Sequence, residues 1–227
     1  MTRISANLQA VKARITAAAR AAGRPPESVT LLAVSKSFGA IQVRECHAAG
    51  QRAFGENYVK EALDKIAALA DDNLEWHMIG PIQSNKTRDI AEHFQWVHSV
   101  EREKIARRLN DARPAHLPPL NICIQINVSG EASKSGIAPD AEIALAAVIA
   151  DLPHLRLRGL MAIPEPTPDA VLRRRHFALL REMQENLITR GHALDTLSMG
   201  MSDDLEDAIA EGATLVRVGT AIFGRRT

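Results

Sequence analysis

Short apolar runs alternate with longer segments of helical periodicity along almost the whole chain. The runs are rich in aliphatic and β-branched residues, a composition that favours buried β-strands. Eight segments fit this description: 29–36, 52–56, 75–80, 95–100, 121–128, 155–163, 194–200 and 214–223. Because helical segments separate these strands, we expect parallel pairing through right-handed crossovers.

Apolar residues spaced three or four positions apart predict the helices. A regular apolar face over residues 4–15 precedes the first strand and predicts an extra N-terminal helix. The segments 57–70, 139–151 and 169–190 have the same spacing. Pro139 suits the first turn of its helix, where a missing N–H group costs nothing.

Eight strand–helix units are the number that closes a (β/α)8 TIM barrel. No Pro- or Gly-rich linker divides the sequence, and no residues remain for a second domain. We therefore predict a single TIM-barrel domain over residues 1–227. An open doubly wound sheet is the alternative fold, and it is less favoured because this length leaves no room for the long insertions that such folds carry.

The composition narrows the class of protein. A net charge of +1 gives no electrostatic reason to expect a nucleic-acid or membrane partner. No stretch has the length of a transmembrane helix, and the N-terminus lacks the pattern of a signal peptide. Cys46 and Cys123 lie far apart and read as buried thiols in a reducing compartment, so we expect a cytoplasmic protein. The histidines show no metal-ligand spacing, and we expect no metal site.

The first strand ends in Lys36, an amine at the end of a buried strand. The ordinary interpretation is a lysine whose stem is buried and whose head reaches water. In a barrel, however, functional groups gather at the carboxyl ends of the strands, and the eighth strand closes against the first. Closure brings Arg217 towards Lys36. A buried guanidinium needs a partner, either a barrel carboxylate or a ligand.

The loops after strands seven and eight often bind phosphate in barrel enzymes. The first of these loops supplies Ser198 and Ser202, and it leads into a helix with Ser202 or Asp203 as the expected N-cap. The second supplies Gly219 and Thr220. An amine, a guanidinium and a phosphate cradle together describe a site for pyridoxal 5′-phosphate (PLP), with the lysine forming a Schiff base with the aldehyde.

The position of Arg217 has a chemical consequence. A guanidinium can only donate hydrogen bonds, so facing the pyridine nitrogen it would leave that nitrogen unprotonated. The ring would then be a weaker electron sink than one paired with a carboxylic acid.

At these residues the sequence strongly resembles the PLP homeostasis protein family, which is similar in fold to the N-terminal barrel of alanine racemase. The matching stretches span nearly the whole chain: LLAVSKSFG, FGENYVKE, WHMIGPIQSNK, HSV, INVSGEASKSGI, RGLMAIP and LSMGMSDDLEDAIAEGATLVRVGTAIFGRR. The resemblance implies that Lys36 is the Schiff-base lysine and that Arg217 lies at the ring nitrogen. It also implies a set of residues around the cofactor: Asn57, Ser198, Ser202, Gly219 and Thr220. Asn57 is equally a candidate N-cap of the following helix.

The resemblance implies a protein that binds PLP and maintains its supply, with no turnover attributed to the family. A racemase needs two bases, whereas the single tyrosine, Tyr58, lies where a helix begins. His77 and His98 read as hydrogen-bonded polar residues near the barrel mouth rather than general bases. The polar loops 84–86 and 133–135 have a composition common in exposed loops, and we assign them no ligand.

We therefore expect a monomer that buffers PLP, and other B6 vitamers, or delivers PLP to apo-enzymes without catalytic turnover. Two other functions remain open on the sequence. One is a PLP-dependent amino-acid racemase or decarboxylase. The other is a Schiff-base aldolase acting on a sugar phosphate, which needs the lysine and the phosphate cradle but no PLP.

Overall fold

The eight strands form one closed parallel barrel in the computed structural model, which describes residues 2–131 and 135–225. Each strand pairs with its neighbour in chain order, and the last strand pairs with the first. The strands are β1 (Thr30–Val34), β2 (Ala53–Glu56), β3 (Glu75–Met78), β4 (Trp96–Val100), β5 (Leu120–Ile126), β6 (Leu155–Ala162), β7 (Thr196–Ser198) and β8 (Leu215–Val218). The predicted (β/α)8 barrel is confirmed.

Helices follow the strands around the outside. They are α1 (Arg3–Ala21), α2 (Ala40–Ala48), α3 (Val59–Ala68), α4 (Thr87–His93), α5 (Glu103–Ala112), α6 (Glu142–Ala150), α7 (Ala170–Thr189), α8 (Leu205–Ala210) and α9 (Thr220–Phe223). The predicted extra N-terminal helix is α1, which packs against α8 and α9. Its Asn7 donates a hydrogen bond of 2.9 Å to the carbonyl of Ile222 and so holds the short α9 in place.

Most predicted boundaries lie within two residues of the observed ones, but two were wrong by three residues or more. The helix expected from 139 begins at Glu142 with Ala141 as N-cap, so Pro139 lies in the preceding turn. The strand expected over 214–223 ends at Val218, and its last apolar residues form α9 instead. Short apolar runs of this kind fit either element, because three or four residues do not establish a period. Ser133 and Lys134 of the polar loop 133–135 lie outside the described residues.

Side chains of β1 alternate between two apolar layers. Leu31 and Ala33 belong to the main core between the strands and the helices. Leu32 and Val34 belong to a small cluster that also contains Leu215 of β8, inside the barrel. Residues of β8 with the same parity as Leu215 therefore face inwards, and Arg217 is one of them.

The described residues show neither a membrane-spanning helix nor a metal site. None of the helices is both long and apolar enough to cross a bilayer. No three His, Cys, Asp or Glu side chains of the described ranges are grouped to hold a metal ion. Cys46 and Cys123 are both buried free thiols, and burial raises the pKa of each to about 12.

Candidate functional site

Lys36 lies two residues past the end of β1 rather than within the strand as predicted, at the carboxyl end of the barrel, where it is half-buried. It lines a cavity of about 310 Å³ together with Phe38, Gly219 and Thr220. The pairing of β1 with β8 creates this neighbourhood, since Leu32 is in register with Arg217. The structure thus brings the predicted Schiff-base lysine and the predicted phosphate-binding end of β8 to one cavity.

Gly219 allows the two strand ends to approach closely. A Cβ atom at this position would lie 3.1 Å from the carbonyl oxygen of Val34, which is tighter than ordinary packing. Thr220, the first residue of α9, is exposed. The far end of α9 is anchored by Phe223, whose ring stacks on Phe38 at 5.1 Å. The wall of the cavity is therefore held from two sides.

Arg217 is buried inside the barrel, with 4% of its surface exposed. One terminal nitrogen donates to the carbonyl oxygen and the hydroxyl of Ser198, at 2.6 and 2.7 Å, and the other donates to the carbonyl of Ala162 at 2.9 Å. These acceptors are uncharged, in place of the barrel carboxylate considered from the sequence. Burial lowers the pKa of Arg217 to about 10, so it remains a cation at neutral pH.

Ser198 is fully buried, and its hydroxyl is already engaged. Besides accepting from Arg217, its oxygen lies 2.8 Å from Nδ1 of His98, a residue of β4 on another part of the barrel wall. The hydroxyl therefore supports Arg217 within the barrel. Its role at a phosphate group stays a prediction.

The loop after β7 differs in detail from the expectation. The N-cap of α8 is Asp204 rather than Ser202 or Asp203, and its carboxylate accepts from the backbone N–H of Met201 at 2.6 Å. Ser202 is half-buried, and its carbonyl accepts a hydrogen bond from Arg14 of α1. The carboxylate of Asp204 therefore competes with an anionic ligand for the backbone N–H group of Met201 in this loop. A phosphate role for Ser202 stays a prediction.

Asn57 follows β2 and carries a buried side-chain oxygen. The N-cap of α3 is Tyr58, so the alternative role of Asn57 as that cap was wrong. Val34 pairs with Gly55, and continuing this register by two residues places Asn57 alongside Lys36. Within the described part of the chain, Oδ1 of Asn57 is buried without a hydrogen-bond partner. A ligand with a hydrogen-bond donor fits this position.

Sequence reasoning missed a buried ionic network beside Lys36. The ammonium of Lys65 donates to the carbonyl of Ser35 and to the carboxylates of Glu56 and Glu61, at 2.7, 2.7 and 2.6 Å. Glu61 also accepts from the N–H of Ser37, which has a left-handed φ of 68°. Both neighbours of Lys36 are thereby held in place. The only signal in the sequence was a charged pair four residues apart on a helix, which usually lies on the surface.

Removing the buried amine should destabilise the fold strongly. Burial raises the pKa of Glu56, while Lys65 and Ser35 oppose this shift. Lys65→Met leaves that carboxylate buried without its cation, and we expect the free energy of unfolding to fall by about 3–5 kcal/mol. Urea denaturation measures the change, with the exposed Lys60→Met on the same helix as the control. A loss below about 1 kcal/mol would contradict the structural role of the network.

His77 and His98 are both buried inside the barrel, below the mouth where they were expected. Nδ1 of His77 lies 2.9 Å from Nε2 of His98, and Nε2 of His77 lies 2.8 Å from a carboxylate oxygen of Glu75. Their interpretation as hydrogen-bonded polar residues is confirmed. Burial lowers the pKa of His77, and burial together with the charges of His77 and Arg217 lowers that of His98 well below 6.5.

These histidines should make the protein sensitive to acid. The pKa of each histidine is lower in the folded protein than in the unfolded chain. The unfolded chain therefore binds more protons in mild acid, and the free energy of unfolding falls as the pH drops below about 6.5. Each histidine contributes up to about 1.4 kcal/mol per pH unit in that range. Unfolding measured between pH 5 and pH 7 should show a shallower slope for His98→Gln than for the natural chain. Equal slopes would mean that other groups control the response.

A family profile and two curated relatives match nearly the whole chain. The profile of the family described as "Alanine racemase, N-terminal domain" matches residues 6–227. The pyridoxal phosphate homeostasis protein of Pseudomonas aeruginosa is 65% identical to this chain over 226 residues, which cover 100% of this chain and 97% of that protein. The protein of the same name from Escherichia coli K12 is 56% identical over 232 residues, covering 100% and 98%.

A solved structure agrees with these relatives. The structure of PipY of Synechococcus elongatus with PLP bound has a TM-score of 0.84 and 38% sequence identity to this chain. The alignment covers 97% of this chain and 100% of that one. The barrel and the order of its elements are therefore shared with a protein whose structure contains PLP.

Proposed function

This chain belongs to the alanine racemase N-terminal domain family and, within it, to the pyridoxal phosphate homeostasis proteins. We propose that it binds PLP and serves the homeostasis of that cofactor in the cell. One observation carries the proposal: closure of β8 on β1 places Lys36, Gly219 and Thr220 around a single cavity, with the buried cation Arg217 at the same end of the barrel. The unit that binds PLP is the single barrel domain over residues 1–227.

Each residue of the site has a definite part in this proposal. Lys36 holds the cofactor through a Schiff base, and Arg217 donates to its ring nitrogen. The close approach at Gly219 and the exposed hydroxyl of Thr220 accommodate the phosphate, with Ser202 on the neighbouring loop. The unpartnered oxygen of Asn57 accepts a hydrogen bond near Lys36. PLP supplies an aldehyde that condenses with a primary amine, and a ring that withdraws electrons.

We also propose that the protein has no catalytic turnover. Arg217 stays protonated and donates to the ring nitrogen, which weakens the ring as an electron sink. The two histidines beneath it are engaged with each other, with Ser198 and with Glu75. Tyr58 is 56% exposed at the N-cap of α3. None of these three side chains has the position of a second base.

A screen of amino acids tests this proposal. The natural chain loaded with PLP should show no racemisation or decarboxylation above the level of Lys36→Ala. Sustained turnover that disappears in Lys36→Ala would establish a PLP enzyme instead. Turnover of a sugar phosphate by protein that takes up no PLP would establish the aldolase.

Delivery is the form of homeostasis that we propose, with apo PLP enzymes as recipients. The test compares activation of an apo-enzyme by the loaded protein and by free PLP at equal concentration. Faster activation by the protein supports direct transfer, whereas an equal or slower rate leaves buffering as the function. Titration of the protein with other B6 vitamers measures whether the cavity accepts them.

Sedimentation should show that the protein is a monomer. The buried free thiols of Cys46 and Cys123 suit a reducing cytoplasm.

A further inference from the structure

A line of hydrogen bonds crosses the barrel interior from Arg217 to Glu75. Arg217 on β8 contacts the hydroxyl of Ser198 on β7 at 2.7 Å, which contacts His98 on β4 at 2.8 Å. His98 contacts His77 on β3 at 2.9 Å, and His77 contacts Glu75 at 2.8 Å. The line begins at the carboxyl end of the barrel, where the proposed PLP site lies, and ends at the opposite mouth.

The groups at the two ends of this line fix which partner donates in each hydrogen bond: every donor lies on the Arg217 side and every acceptor on the Glu75 side. A guanidinium can only donate, so the hydroxyl of Ser198 accepts from Arg217 and uses its own O–H to donate a hydrogen bond to Nδ1 of His98. His98 then carries its proton on Nε2 and donates to Nδ1 of His77. Likewise, Nε2–H of His77 donates to a carboxylate oxygen that can only accept. Both imidazoles are neutral in this arrangement, in agreement with the lowered pKa of each.

The reverse direction is possible only if the acceptor at Glu75 is lost. With both histidine protons on Nδ1, Nε2 of His77 would present a lone pair to the carboxylate. At the other end, the oxygen of Ser198 would accept from both Arg217 and His98 and leave its own proton without a partner. The carboxylate of Glu75 therefore selects the direction in which the hydroxyl of Ser198 is best able to hold Arg217.

Glu75 is well placed for this task. Its side chain is 48% exposed, and it lines a cavity of about 450 Å³ at the amino end of the barrel. The hydrogen bond from His77 is the largest influence on its pKa, which is lowered, with a further contribution from Arg158. The ring of His77 is held by Trp96, on which it stacks at 5.4 Å with an angle of 5°. Glu75 is thus an anion at a solvent-facing mouth whose partner ring is fixed in orientation.

We propose that Glu75 is a positioning residue for the PLP site: acting through His77, His98 and Ser198, it fixes the hydrogen bonds that orient Arg217 at the other end of the barrel. The part that concerns PLP rests on the proposed function. The direction of the hydrogen bonds does not, because it is a property of the protein without cofactor.

The first measurement is the tautomer of each histidine, read from ¹⁵N chemical shifts of the cofactor-free protein at neutral pH. The natural chain should show neutral rings protonated on Nε2 at both His77 and His98. Glu75→Gln should keep this state, because the amide oxygen still accepts from His77. Glu75→Leu should lose it, giving protonation on Nδ1 or a mixture. Protonation on Nδ1 of either ring in the natural chain would overturn the proposal.

The second measurement is the affinity for PLP. Glu75→Leu should bind PLP about 3- to 10-fold more weakly, and Glu75→Gln within about 2-fold of the natural chain. Glu103→Leu, which removes an exposed glutamate paired with Arg107 on α5, is the control and should change nothing. Unchanged affinity in Glu75→Leu would overturn the positioning role. If the natural chain took up no PLP at all, the proposed function would fail, while the tautomers would still decide the direction.

Discussion

Lys36→Ala should abolish covalent attachment of PLP. A Schiff base requires a primary amine, and Lys36 is the lysine that lines the cavity beside Gly219 and Thr220. After borohydride reduction and denaturation, we expect the mass of the natural chain to increase by one reduced cofactor and the mass of the variant to stay unchanged. The fold should be retained, since substitution of a half-buried residue at the rim costs about 1 kcal/mol or less.

Two control variants distinguish loss of the Schiff-base amine from loss of the positive charge at Lys36. Lys36→Arg keeps the positive charge but cannot form a Schiff base, so it should also remain unmodified. Lys60→Ala removes an exposed lysine of α3 and should be modified like the natural chain. A reduced adduct that persists in Lys36→Ala would show that another lysine holds the cofactor.

Arg217→Met should weaken PLP binding by roughly 10- to 150-fold, the value of one hydrogen bond from a charged donor. It should also lower the free energy of unfolding by about 3–5 kcal/mol. The reason is that the acceptors on Ser198 and Ala162 remain buried without their donor. Equilibrium dialysis with PLP and urea denaturation measure the two effects separately.

Arg113→Met is a matched control for this prediction. Arg113 is also buried, and it donates to three backbone carbonyls, those of Ala91, Phe94 and Pro118. Neither Arg113 nor these partners line the cavity. Its loss should destabilise the fold to a similar degree and leave the affinity for PLP unchanged. Equal loss of affinity in the two variants would mean that Arg217 acts only through stability.

The fold was predictable from the sequence because its signal is spread over the whole chain. Eight apolar runs separated by helical segments allow few topologies, and closure then determines that β1 and β8 are neighbours. The position of Lys36 beside Gly219 follows from closure alone. The element boundaries near Pro139 and Val218 were harder to predict, because they depend on whether a cap or a turn interrupts a short apolar run.

The buried polar contacts, both inside the barrel and between its strands and helices, were not predictable in the same way. Lys65 and Glu61 look like a surface pair on a helix, and nothing local reveals that Lys65 turns inwards to the buried Glu56. The partner of Ser198 is His98, one hundred residues earlier in the chain. Only the closed barrel brings these strands together, so the hydrogen bonds that hold Arg217 become visible in the structure alone.

The most direct test of the site is a crystal structure of the protein grown with PLP. We expect continuous electron density from Nζ of Lys36 to the cofactor, with the phosphate against Gly219 and Thr220 and the ring nitrogen facing Arg217. Cofactor density joined to a different lysine, or a phosphate bound at the opposite mouth beside Arg158, would contradict it.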